Sequence, residues 1–143
     1  MLNESTINKL KILRLYGWID SWERCMRRGA DAKQSFEALL TSMIDEEFDR
    51  KQGCAFRRRI AKAKILDEWR IETYPFDRQP KLDRRKLMAA YDAMDYLEHQ
   101  RNIVWIGPTG CGKTALATAF LMQALERGHS GRLVGFAELI HEL

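Results

Sequence analysis

Over the first hundred residues apolar side chains recur three or four positions apart; from Ile103 onward they bunch into short unbroken runs. The first rhythm belongs to helices with one apolar face, the second to strands covered on both faces. Ile7, Leu10 and Leu13 follow Ser5 and Thr6, either suited to cap a helix, and Gly17 can end it. Ile19, Trp22 and Met26 predict a second helix closing at Gly29. A third opens at Asp31, with Gln34 at capping-box spacing, and carries Phe36, Leu39, Leu40, Met43 and Phe48 to a stop at Gly53. Asp45, Glu46, Glu47 and Asp49 on its later turns fit a solvated face.

The stretch CAFRRRIAKAKILDEW places Phe56, Ile60 and Ala63 on one face, with Arg57, Arg58, Arg59, Lys62 and Lys64 around them, an amphipathic basic helix. Pro75 and Pro80, with the aromatics Tyr74 and Phe76, then break the rhythm as a linker. Leu87, Ala90, Tyr91, Met94 and Leu97 predict a last helix of this part, capped by Asp83. Beyond Asn102 the run IVWI predicts a buried strand. Leu116, Phe120, Leu121 and Ala124 predict a helix stopped by Gly128, RLVGF (132–136) a second strand, and AELIHEL the opening of another helix. Strand, helix and strand make one βαβ unit, so the expected fold class is α/β: a helical unit over 1–73, then the start of a nucleotide-binding sheet domain over 74–143.

Composition narrows the class. A chain of 143 residues with 45% hydrophobic and 31% charged residues suits a folded domain. No apolar stretch approaches the roughly 18 residues of a membrane span, and the first residues lack the pattern of a signal peptide. Cys25, Cys54 and Cys111 are odd in number and widely spaced, which fits neither a disulfide framework nor a zinc site and agrees with a reducing cytoplasm. His99, His129 and His141 have no ligand-spaced companions. The net charge of +4 lies wholly ahead of Ile103, since the three bases Lys113, Arg127 and Arg132 balance Glu126, Glu138 and Glu142. A basic excess there hints at a polyanion such as DNA, although a helix face answering the acids of the preceding helix accounts for the cluster equally well. Lys81, Arg84, Arg85 and Lys86 form a second patch of surface character.

The candidate chemistry lies in IGPTGCGKTA. Gly107, four residues, then Gly112, Lys113 and Thr114 match the Walker A pattern, between an apolar run and a helix. Gly107, Gly110 and Gly112 free the backbone to point successive amides at phosphate oxygens, with Pro108, Thr109 and Cys111 completing the turn. The helix beginning near Ala115 adds its positive end. Lys113 supplies a mobile charge for the β- and γ-phosphates, and Thr114 a hydroxyl for Mg2+. The expected cofactors are therefore ATP and Mg2+. Cys111 sits where a thiolate would be favoured, but a backbone role suffices to explain it.

Several stretches together, KLKILRLYGW, FEALLTSMIDEEFDRKQ, RRRIAKAKI, YPFDRQPKLDRRKL and NIVWIGPTGCGKTALATAF, make the chain resemble the IstB-like helper ATPases of bacterial transposition. These share the AAA+ lineage with replicative helicase loaders of the DnaC type. The likeness covers the whole chain, while the chain covers the first half of the family pattern. It implies an oligomeric ATPase that assembles on duplex DNA and assists a transposase, with the N-terminal helices contacting partner or DNA. It also implies ATP bound at subunit boundaries, and a segment around Tyr74 and Phe76 that borders the base or packs in the core. The family's acidic Walker B strand, sensor and arginine finger have no counterpart after Thr114. The expectation is accordingly a truncated, split or fragmentary product that does not hydrolyse ATP usefully alone. A helicase-loader-like ATPase and a non-catalytic interaction module are the alternatives.

Overall fold

The computed structural model describes residues 2–31 and 35–141. In chain order its helices are α1 (Glu4–Ile12), α2 (Tyr16–Asp31), α3 (Phe36–Ala63), α4 (Arg84–Ala93), α5 (Asp95–Glu98), α6 (Lys113–Glu126) and α7 (Phe136–His141). Short 3-10 turns at Ile71–Thr73 and Phe76–Arg78 precede α4. The chain divides into two compact units, residues 1–55 and 56–143. Gln34, one half of the expected capping box, lies outside the described residues.

In the first unit the caps differ from expectation. The Asn3 side chain accepts a 2.7 Å hydrogen bond from the Thr6 amide, so Asn3 caps α1, and Ser5 and Thr6 lie inside the helix. An N-cap must have extended backbone, which Asn3 has, with φ −75° and ψ 158°. The chain leaves α1 through Arg14 at φ 56°, with the Leu15 amide bonded to Leu10 O, and Gly17 falls in the first turn of α2. Gly29 does not stop α2, which runs to Asp31. The buried line of α2 is Gly17, Ser21 and Cys25, small residues four apart, whereas Met26 is exposed. A Cβ on Gly17 would lie 2.7 Å from Glu47 Oε2 and 3.3 Å from Glu47 Cα, so α3 approaches there as closely as only glycine permits.

Glu47 is therefore not on a solvated face. Its residue is 4% exposed, and its carboxylate accepts from the Trp18 amide at 3.3 Å and from the Arg50 guanidinium at 2.8 Å. Of the apolar stripe expected to bury α3, Met43 is fully buried while Phe36 and Phe48 face solvent. Ser35 caps this helix, its hydroxyl accepting from the Ala38 amide at 3.2 Å. Gly53 does not end it either. A helical glycine costs about 1 kcal/mol against alanine, too little to interrupt a helix this long. Lys64, at φ 53°, turns the chain instead.

The second unit is organised by α6, which is buried nearly all round. Its Leu116, Ala119 and Phe120 pack with Ile71, Tyr74 and Leu87, and Phe120 sits edge-on to Tyr91 and Trp105 at centroid distances of 5.2 and 5.3 Å. Met122 and Leu125 pack on Ala63, with Phe56, Ile60 and Ile65 around them. Asp83 caps α4 as expected, accepting from the Lys86 amide at 3.0 Å. The single helix expected to reach Leu97 is broken by Met94 at φ 50°, which separates α4 from α5.

Gly128 stops α6 as expected. It stands at φ 95° with its amide on Leu125 O and the His129 amide on Ala124 O, a Schellman pair. A Cβ there would meet nothing within 4 Å, so Gly128→Ala isolates the backbone term. A loss of about 1–2 kcal/mol is expected, read as a lower urea midpoint with unchanged m-value.

Among the described residues no β-strand forms. Residues 103–106 and 132–136, the two expected strands, make no ladder with each other, and Phe136 already belongs to α7. A strand exists only through a paired neighbour, and the Leu133 amide donates instead to Ala63 O at 2.8 Å. Val104 and Ile106, expected to be covered on both faces, are 74% and 91% exposed.

Candidate functional site

The loop of residues 107–112 runs from the extended segment into the N-terminus of α6. Gly110 at φ 80° and Gly112 at φ 85° hold left-handed backbone, and Gly112 is the N-cap of α6. The next amides, of Lys113, Thr114 and Ala115, belong to the first turn and have no partner within the helix. Beneath the loop lies Tyr74, a buried residue whose phenol donates to Cys111 O at 3.3 Å. Burial raises the Tyr74 pKa, with Cys111 adding to the effect, so the phenol keeps its proton for that bond. Tyr74 in turn sits edge-on to Phe76 at 5.0 Å, and Arg84 stacks over the Phe76 ring at 4.7 Å.

Lys113 curls back over its own loop. Its ammonium donates to Gly107 O at 2.9 Å and to Pro108 O at 2.6 Å, and lies 3.7 Å from Cys111 Sγ. Thr114 is exposed beside it, and Thr109, Gly110, Gly112, Lys113 and Thr114 line a hollow of about 360 Å³. A larger cleft of about 440 Å³ adjoins the loop, walled by Tyr74, Pro80, Leu82, Trp105, Cys111 and Leu116. Lys81, which sequence placed in a surface patch, also lines it. The spacing of the loop residues does not foretell the far wall of this cleft, because Tyr74, Gln79, Pro80, Lys81 and Leu82 come from the segment ahead of α4.

Crowding excludes a side chain at Gly112 and Gly107, whereas Gly110 is held to glycine by its left-handed backbone alone. A Cβ on Gly112 would lie 2.7 Å from Tyr74 Oη, and one on Gly107 would lie 2.8 Å from Cys111 Sγ. On the side of Gly110 nothing stands within 4 Å. Gly112→Ala combines a left-handed backbone with a buried tyrosine that cannot swing away. A loss of about 2 kcal/mol is expected, measured by urea denaturation and accompanied by freeing of the Tyr74 phenol in its absorbance titration.

The basic cluster is divided by the fold. Arg59 Nε donates to Leu125 O at 2.8 Å, satisfying a carbonyl at the end of α6. Lys64 and Arg132 both reach Glu138 Oε1 at 2.6 Å. Hydrogen bonds from Lys64 and Arg132 hold the Glu138 pKa below the usual carboxylate range. Arg57, Arg58 and Lys62 are exposed on α3.

A glycine-bearing turn that opens into a helix N-terminus and carries a lysine is the form of an anion-binding loop. A family model described as "IstB-like ATP binding protein" matches residues 8–143, and the chain belongs to that family. Relatives agree. The protein assigned as ATP-binding in insertion sequence IS5376 of Geobacillus stearothermophilus is 25% identical over 124 residues, covering 87% of this chain and 49% of the relative. The corresponding protein of IS21 from Pseudomonas aeruginosa is 25% identical, covering 88% and 46%. That of IS1162 from Pseudomonas fluorescens is 28% identical, covering 100% and 62%. The chain thus spans about half the length of most of the curated relatives it matches. Among the described residues no helix is long and apolar enough to cross a membrane.

Proposed function

We propose that this chain binds Mg-ATP through residues 107–115 and serves as a helper of a transposase on DNA. The observation that carries the reading is the loop itself: left-handed Gly110 and Gly112, the first-turn amides of α6, and the Lys113 ammonium gathered at one hollow. The residues fit a triphosphate tail, because Gly110 and Gly112 hold left-handed backbone at the start of α6 and the Gly110 side is open. Amides from Gly110 to Ala115 bind the phosphate oxygens. Lys113 exchanges its loop carbonyls for the β- and γ-phosphates, and the Thr114 hydroxyl holds the metal ion. Bound Mg2+ neutralises charge between those phosphates. The adjoining cleft, with Tyr74 and Trp105 in its walls, takes the nucleoside.

In this reading residues 103–106 and 132–136 become paired strands within a larger sheet, and the nucleotide unit runs over 74–143. Residues 1–73 engage the partner and DNA. A homo-oligomer in the cytoplasm, where ATP and DNA are present, completes the proposal. Hydrolysis is not assigned to any residue of this chain.

Differential scanning of the intact chain with and without Mg-ATP tests nucleotide binding. At a hundred times Kd the ligand adds about 2.7 kcal/mol, several degrees in Tm, and the absence of any shift sinks the reading. DNA contact is assigned to the exposed side chains Arg58 and Lys62. Neutralising both should reduce the slope of log K against log salt by about 2 on a nonspecific duplex. An unchanged slope removes them from the DNA surface.

A further inference from the structure

The first unit exposes an apolar ridge that its own core leaves uncovered. Phe36, Leu40, Ile44 and Phe48 lie four apart on α3, with Ile44 56% and Phe48 59% exposed. The buried side of the same helix is made by Met43 and Glu47, so the apolar face of α3 is wider than the part that the unit covers. Immediately beside the apolar ridge runs a second one, Glu37, Thr41, Asp45 and Asp49, each one residue further on. This polar ridge lines a shallow groove of about 540 Å³. Among the described residues Glu37, Asp45 and Asp49 make no ion pair, whereas their neighbours Glu46 and Glu47 are paired with Arg24 and Arg50.

We infer that this face of α3 docks a basic amphipathic helix of a partner protein. Apolar anchors on that helix cover Leu40, Ile44 and Phe48, and its lysines or arginines answer Asp45 and Asp49. Helix-on-helix docking uses just such anchors one turn apart. The acid ridge decides the sign of the partner. It repels the phosphates of DNA and any acidic helix, and it steers a basic helix into register. The inference concerns a surface of the first unit and stands whether or not the loop in the second unit binds ATP.

The test uses the full chain and two labelled peptides of about 18 residues, five helical turns. One has leucines at helical spacing with lysines elsewhere; the other replaces every lysine by glutamate. Fluorescence anisotropy should show saturable binding of the lysine peptide and none of the glutamate peptide. The double variant D45K/D49K should weaken the lysine peptide by at least ~10-fold and gain affinity for the glutamate peptide. I44S/F48S should weaken the lysine peptide comparably without creating affinity for the other. These positions are exposed, so both variants should keep the wild-type circular dichroism spectrum, and a variant that does not is replaced by the single change D49K. Lysine-peptide affinity that ignores both variants overturns the inference, as does equal binding of the two peptides. A self-association in sedimentation that I44S/F48S abolishes, with no peptide binding, overturns it in favour of a second copy. A duplex oligonucleotide that competes for the wild type but not for I44S/F48S overturns it in favour of DNA.

Discussion

Lys113→Ala should weaken Mg-ATP binding about 10- to 100-fold, the loss expected when one charge-assisted hydrogen-bonding group is removed from phosphate. Calorimetric titration measures it directly, and the ligand-induced rise in Tm should shrink in proportion. The unliganded stability should move by less than about 0.5 kcal/mol, because the carbonyls of Gly107 and Pro108 that accept from Lys113 are solvent-accessible and water replaces it. That separation matters. A variant that lost affinity by unfolding the loop would lower Tm without ligand, whereas Lys113→Ala should not. Retained affinity would mean that the ammonium is occupied by its own loop and takes no part in binding. Gly112→Ala differs in kind, since it should damage the loop and its stability together through Tyr74.

Glu47→Ala should destabilise the first unit by about 2 kcal/mol, chiefly through the Trp18 amide it leaves unsatisfied, since solvent screens the partly exposed Arg50. Its carboxylate satisfies the Trp18 amide at the start of α2 and neutralises the partly buried Arg50, which also stacks on Tyr16 at 5.4 Å. Removing it leaves the Trp18 amide and the partly exposed Arg50 guanidinium without their acceptor. Burial pushes the Glu47 pKa up, but bonds from Arg50 and from the Gly17 and Trp18 amides outweigh it and hold the value below the ordinary one. The sign follows from linkage. The folded value is depressed, so the contribution is fully present above the ordinary carboxylate range and is lost as pH falls through the folded value. Acid titration monitored by hydrogen exchange in α1 to α3 should show this loss in wild type and not in Glu47→Gln. A Glu47→Gln chain with wild-type acid sensitivity would show that another carboxylate is responsible.

The sequence announced the features whose causes are local. The glycine spacing, Lys113 and Thr114 located the loop, Asp83 located the start of α4, and Gly128 located the end of α6. Each depends on atoms within a turn or two of chain. The likeness to IstB-like proteins was carried by the same stretches and agrees with the family match over residues 8–143.

Tertiary structure decided the rest, and the deciding partners are distant in sequence. Glu47 reads as one acid among four until Trp18, 29 residues away, turns its amide toward it. Arg59 reads as one base of a cluster until its Nε meets Leu125 O, 66 residues away. Lys64 meets Glu138 across 74 residues. Tyr74 becomes the floor of the loop only through Cys111. Periodicity counts apolar positions on a helix but cannot say which of them a neighbour covers, so Met43 was buried and Phe48 left outside. The strands fared likewise: an apolar run has the composition of a strand, yet strand pairing is a property of two segments, and among the described residues 103–106 form no ladder with another segment.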